Sequence, residues 1–208
     1  MFHRTTDALA AGLAEAPPHW LGKRFDAAGT PLRDAGCTVL CAVDDPGALS
    51  ALGAVRGRLA AAGLDRFWAW LPERSLHMTV FDVTLHARRD ADHWPANLSP
   101  NATEADADAE MIRRLSGLRA GPRPPYLMAP QGIYRGEGGV GVGLSSAGME
   151  EDKRLRALRD QLAIATGLTH RPGHAVYRFH ITLGYMIAWP SMAEAARADA
   201  LFDAAEDA

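Results

Sequence analysis

Cysteine is nearly missing from this chain: there are two in 208 residues, Cys37 and Cys41, so no disulfide framework and no cysteine-built metal cluster can organise it. The pair lies four apart in an apolar run. On a strand that spacing puts both on one face but too far apart to bond, and they read as reduced core thiols. Also lacking is a charge-free stretch of the ~20 residues that a membrane helix needs. The N-terminus, where His3, Arg4 and Asp7 interrupt short Ala/Leu pieces, lacks the apolar core of a signal peptide. The expectation is a cytoplasmic protein without membrane contact, in which the sequons at Asn97 and Asn101 carry no meaning. Charge of one sign is lacking too. A formal net charge of −3 advertises no broad basic surface for duplex DNA, although a locally positive cleft stays open and suits a small nucleotide or short RNA end.

Metal-ligand spacing is the last absence. His170 and His174 are four apart, but Pro172 and Gly173 between them forbid the helix that would align them. His86 and His93 sit in a polar stretch without Cys or carboxylate partners at ligand spacing and read as solvated. No metal and no cofactor is expected. Gly136-Glu137-Gly138-Gly139-Val140-Gly141 matches G-x-G-x-x-G, yet a dinucleotide fingerprint needs a helix after it, and here Val140, Val142 and Leu144 alternate as in a strand. These are hairpin glycines.

What is present is one phrase written twice. Leu76-His77-Met78-Thr79-Val80 and Phe179-His180-Ile181-Thr182-Leu183 both read apolar, His, apolar, Thr, apolar. Period-two alternation is the pattern of a half-buried strand, so His and Thr share one face while the apolar residues pack behind them. Shuffling this composition yields roughly 0.04 such copies. A single copy is ordinary strand packing, since Thr favours strands and a His there can satisfy a buried polar group. Two copies in matched context ask for a chemical reason. Two such strands facing one another offer an acid, a base and two anion-binding hydroxyls, which is what breaking a phosphodiester without a metal requires. An imidazole with its ordinary pKa near 6.5 can play either proton-transfer role near neutrality.

Two H-x-[ST]-x motifs separated by most of a small domain resemble the 2H phosphoesterase superfamily, whose members include bacterial RNA 2′,3′-cyclic phosphodiesterases and plant cyclic phosphodiesterases. Gly22-Lys23-Arg24-Phe25-Asp26, Ala28-Gly29-Thr30, Gly36-Cys37-Thr38-Val39, Leu76 to Phe81 and Tyr177 to Tyr185 resemble its DUF1868-like branch, over roughly residues 20 to 195. One departure is Cys37, where Asn is expected between Gly36 and Thr38. The resemblance implies an α+β, two-lobed fold, with antiparallel sheets around a central cleft and helices on the outside. It also implies a substrate among 2′,3′-cyclic nucleotides, RNA 2′,3′-cyclic phosphate ends or a related cyclic ADP-ribose phosphate.

The organisation agrees with one bilobal domain over residues 21–208, preceded by an N-terminal helical appendage over 1–20 whose helix, residues 6 to 15, stops at Pro17-Pro18. Cys37 to Val43 reads as a strand. Asp44-Asp45-Pro46 starts a helix carrying Leu49, Leu52, Val55 and Leu59 at helical spacing. Phe67 to Leu71 is a short strand before the first His strand, and a long loop from His86 to Thr103 leads to a helix with Met111, Ile112, Leu115 and Leu118. Tyr126 to Met128, Gly132 to Arg135 and Val140 to Leu144 read as short strands. Glu150, Glu151 and Asp152 then open a helix ending near Gly167, and the second His strand follows. Each half repeats strand, helix, His strand.

The expected site is therefore catalytic His77 and His180, with Thr79 and Thr182 binding phosphate. Arg178, two residues before His180, is placed by alternation on the same face as a further phosphate ligand. Trp68 and Tyr134 are candidates for base stacking. Tyr177 and Tyr185, of opposite parity to His180, should point away. The expected activity is metal-independent cyclic phosphodiester hydrolysis by a monomer. The rivals are a nucleotide- or phosphate-binding module without turnover and, least favoured by the near-neutral charge, an RNA end-joining 2H protein.

Overall fold

Alternation builds the first strand: in β1 (Gly36–Ala42) Cys37, Val39 and Cys41 turn inward while the intervening residues face out. The computed structural model describes residues 4–119, 124–136 and 138–206; His3 and Glu137 lie outside the described residues. A short helix α1 (Thr5–Ala10) precedes β1. After it, Asp45 caps α2 (Pro46–Ala61) by accepting the Ala48 amide, with Pro46 in the first turn where no donor is lost. β2 (Trp68–Trp70) and the nine-residue β3 (His77–Leu85) follow. Thr103 caps α3 (Glu104–Ser116), which buries Ala107 and Met111 but leaves Ile112 exposed. The chain continues as β4 (Met128–Gly136), β5 (Gly139–Ser146) and α4 (Met149–Thr166), the helix ending on Gly167 at φ +75°, a left-handed cap that glycine adopts without strain. β6 (His180–Met186) and α5 (Met192–Glu206) complete it. No reading of the sequence assigned α5. Tyr126 stands outside β4.

The strands form one antiparallel sheet in the order β1-β3-β6-β5-β4, with β2 pairing the far end of β6. The two His strands are its central neighbours. They pair at Met78 and Ile181, and β1-β3 on one side repeats β5-β6 on the other. The two lobes of the α+β fold therefore meet in the sheet itself, at the duplicated motif. Residues of all four long helices, among them Leu59, Met111, Leu155 and Phe202, join Met78, Val80, Val142 and Ile181 in one buried cluster. The helices thus cover one face of the sheet, and alternation leaves His and Thr on the other.

Helix α1 lies against α5. Buried Asp199 of α5 accepts the amides of Thr5 and Thr6 and the Thr6 hydroxyl, satisfying donors that a helix start leaves unpaired. Asp199 also takes Arg135 Nε at 3.1 Å, and Arg135 reaches Asp203 and Glu206 as well. This buried ion pair ties α1 and α5 to β4.

Candidate active site

Antiparallel register converts the two motifs into a single site. With Met78 opposite Ile181, His77 stands across from Thr182 and Thr79 across from His180, one residue to either side and all on the face away from the core. The arrangement is two-fold symmetric about that pair. Met78 and Ile181 are buried while the four polar residues are half-buried, so imidazoles and hydroxyls meet solvent from an apolar base.

Both imidazoles are held alike. His77 Nδ1 lies 2.7 Å from the Ser75 carbonyl and His180 Nδ1 lies 3.1 Å from that of Arg178. A carbonyl oxygen can only accept, so in each ring Nδ1 carries the proton and donates, which leaves Nε2 as the exchanging atom. A neutral ring then presents a lone pair at Nε2 and a charged ring presents a proton there. One geometry serves base and acid.

The neighbouring strand β5 makes room for them. Gly143 is the register partner of His180 and Gly141 that of Thr182. The alternation Gly139-Val140-Gly141-Val142-Gly143 buries its valines in the core and leaves a bare face beside the motif. A Cβ at Gly141 would collide with the Ile181 carbonyl oxygen and the Tyr134 hydroxyl. Tyr134 reaches over that gap, its hydroxyl 3.1 Å from Thr182 Oγ1 and its ring edge-on to His180 at 5.6 Å. Burial pushes the phenol up to about 12, so it stays protonated and able to donate.

Of the residues expected from sequence, His77, Thr79, His180, Thr182 and Tyr134 come together. Trp68 does not. It is a core residue, 3% exposed, wedged among Phe67, Trp70 and Phe202, because β2 turns it toward the helices; no base can stack on it. Arg178 precedes the strand, which begins at His180, so parity does not govern it. Its backbone carbonyl orients His180, while its exposed side chain lines a groove toward α4. His86 is not solvated either: its side chain is buried, bonded to Asp108 and Arg89 under Trp94. His93 bonds Asp90.

The two tyrosines expected to face away are the residues that sequence reasoning missed. Tyr177, outside the strand, flanks His180 with ring centroids 6.3 Å apart, and burial raises its phenol. Tyr185 is turned by a bulge: β5 advances from Val140 to Gly141 while β6 steps from Gly184 to Thr182, so Leu183 is an extra residue and the alternation changes phase. Tyr185 therefore leaves the main core, stacks on Phe25 and accepts from Arg24 at 2.9 Å. The Gly-Lys-Arg-Phe-Asp stretch thus packs beside the site, with Arg24 also against Trp20 and Asp34. The Gly/Val alternation was the signal available for the bare face of β5. Nothing local announced the bulge.

Among the described residues no three His, Cys, Asp or Glu side chains gather as a metal site would require, and no helix is long and apolar enough to cross a membrane. Comparison with known proteins gives a match over residues 24–136 to a family model named 2H-phosphodiest and described as a domain of unknown function, DUF1868. A crystal structure of a conserved protein of unknown function from Agrobacterium tumefaciens is similar over 92% of this chain and 80% of its own, at 31% identity and a TM-score of 0.80. No curated protein matches.

Proposed function

The chain belongs to the 2H-phosphodiesterase family described as DUF1868, which makes it a hydrolase of the phosphodiesterase type, and within that class we propose that it opens a cyclic phosphodiester by paired histidine acid–base catalysis. The substrate is a 2′,3′-cyclic nucleotide, an RNA 2′,3′-cyclic phosphate end or a related cyclic ADP-ribose phosphate. One imidazole removes a proton from water as its oxygen attacks phosphorus, and the other protonates the departing ribose oxygen, each through Nε2. The Thr79 and Thr182 hydroxyls donate to the non-bridging oxygens, where charge must be held in the transition state. The observation that carries this reading is the pairing of the two motifs at Met78 and Ile181, with both Nδ1 atoms committed to carbonyls.

Incubation of the purified protein with a panel of 2′,3′-cyclic nucleotides, products followed chromatographically, should give nucleoside 2′- or 3′-monophosphates, and the rate should survive EDTA. Tight binding without ring opening would replace the reading by a phosphate-binding module. Loss of activity in EDTA, restored by zinc or manganese, would replace it by metal-assisted hydrolysis.

Tyr134 is a positioning residue in this scheme. As a protonated phenol it is able to donate to Thr182 Oγ1, 3.1 Å away, and in that direction the bond frees the threonine hydrogen for the phosphate. Tyr134→Phe should lower kcat about tenfold, the scale of one hydrogen bond made through an intermediary, with little change in thermal stability. Tyr134→Phe at wild-type kcat would remove the phenol from the scheme.

A further inference from the structure

The site is symmetric in its four motif residues but not in what lies beside them. Arg178 stands two residues before His180, and Ser75 holds the matching place before His77. On the His180 side a groove of about 270 Å³ begins at Gly143, the register partner of His180, and runs along the ends of β5 and β6 to α4. Gln131, Ser145, Ser146, Arg156, Tyr177 and Arg178 contribute to its walls. That volume falls below the ~300–1,000 Å³ of sites that enclose a whole drug-sized ligand, and suits a part of one.

Its chemistry is that of an anion subsite. Arg156 is held in place, donating to the Tyr177 carbonyl at 3.0 Å and lying over the Phe179 ring, with Asp152 3.4 Å from its Nε. Arg178 makes no ion pair among the described residues. Two guanidinium groups against one carboxylate leave the groove with a net positive charge, and Ser145 and Ser146 also line it, the Ser146 hydroxyl donating to Asp152 at 3.4 Å. A planar guanidinium with uncommitted donors matches phosphate oxygens.

We propose that this groove binds a second phosphate of the substrate, one separate from the phosphodiester that reacts between His77 and His180. The inference rests on the phosphodiesterase reading and adds polarity to it: the substrate extends from the scissile group past His180, over Tyr177, and not past His77.

The test compares adenosine 2′,3′-cyclic phosphate with the same compound bearing a 5′-phosphate, by turnover and by calorimetric binding, on the full chain at low ionic strength. The 5′-phosphorylated compound should show kcat/KM about tenfold higher, through KM, and bind about tenfold tighter; Arg178→Ala should bring both ratios near one. Added salt should shrink them, because the groove is open to screening. Equal values for the two compounds in the wild type, or a preference that persists in Arg178→Ala, would overturn the subsite. If neither compound is turned over while the binding preference and its loss in Arg178→Ala remain, the subsite stands and the hydrolytic reading falls.

Discussion

His77→Ala and His180→Ala will each lower turnover of a cyclic phosphodiester by about 10² to 10⁴, equivalent to roughly 3–5 kcal/mol of transition-state stabilisation. Either Nε2 lost leaves half of a concerted proton transfer to water, and no other ring among the motif residues can take over: across from each His stands a Thr. The double variant should be scarcely slower than the slower single, since the two imidazoles act as one unit. Binding of an unreactive nucleotide should change far less, because the threonines and the cations remain. The rate should follow a bell-shaped pH profile, as one ring must be neutral while the other is charged. Wild-type turnover in both single variants would end the assignment of the pair.

The largest effect on stability is expected away from the cleft. Arg135 and Asp199 are 5% and 4% exposed at their side chains, and breaking a buried pair from one side costs about 3–5 kcal/mol because the remaining charge keeps its burial and loses its partner. Arg135→Ala should therefore lower the melting temperature by roughly 6–20 °C for a chain of this length. Asp199 retains the Thr5 and Thr6 donors, which argues for the lower half of that range. α1 should loosen first, since its first turn depends on the same carboxylate, and amide exchange at Thr5 and Thr6 reads this directly. A loss below about 1 kcal/mol, the level of a solvent-screened surface pair, would show that the clasp is not buried in solution.

Much of the local structure was legible. Asp45 announced a helix start and Gly167 a helix end by local chemistry that acts within four residues; the Thr103 cap of α3 is seen only in the structure. The alternating His and Thr announced two half-buried strands for the same reason. Position beyond the strand was not legible: Arg178 and Tyr177 were assigned faces by a parity that stops at His180, where ladder pairing begins. Trp68 shows the limit from the other side. Its sequence context fits both a core and a cleft wall, and the packing of Phe67, Trp70 and Phe202 around it decides for the core.

The sequence by itself determined the reactive groups, their alternation with apolar residues and the duplication that marks them as a pair, because each of these is a property of neighbours along the chain. Only the tertiary structure decided that strands 103 residues apart would meet at Met78 and Ile181, that the extra Leu183 would swing Tyr185 out of the main core, and that Arg178 would open onto a groove with Arg156. Register, bulges and strand ends are set by which strand lies alongside, and that choice is made by burying the apolar faces of the whole sheet against its helices.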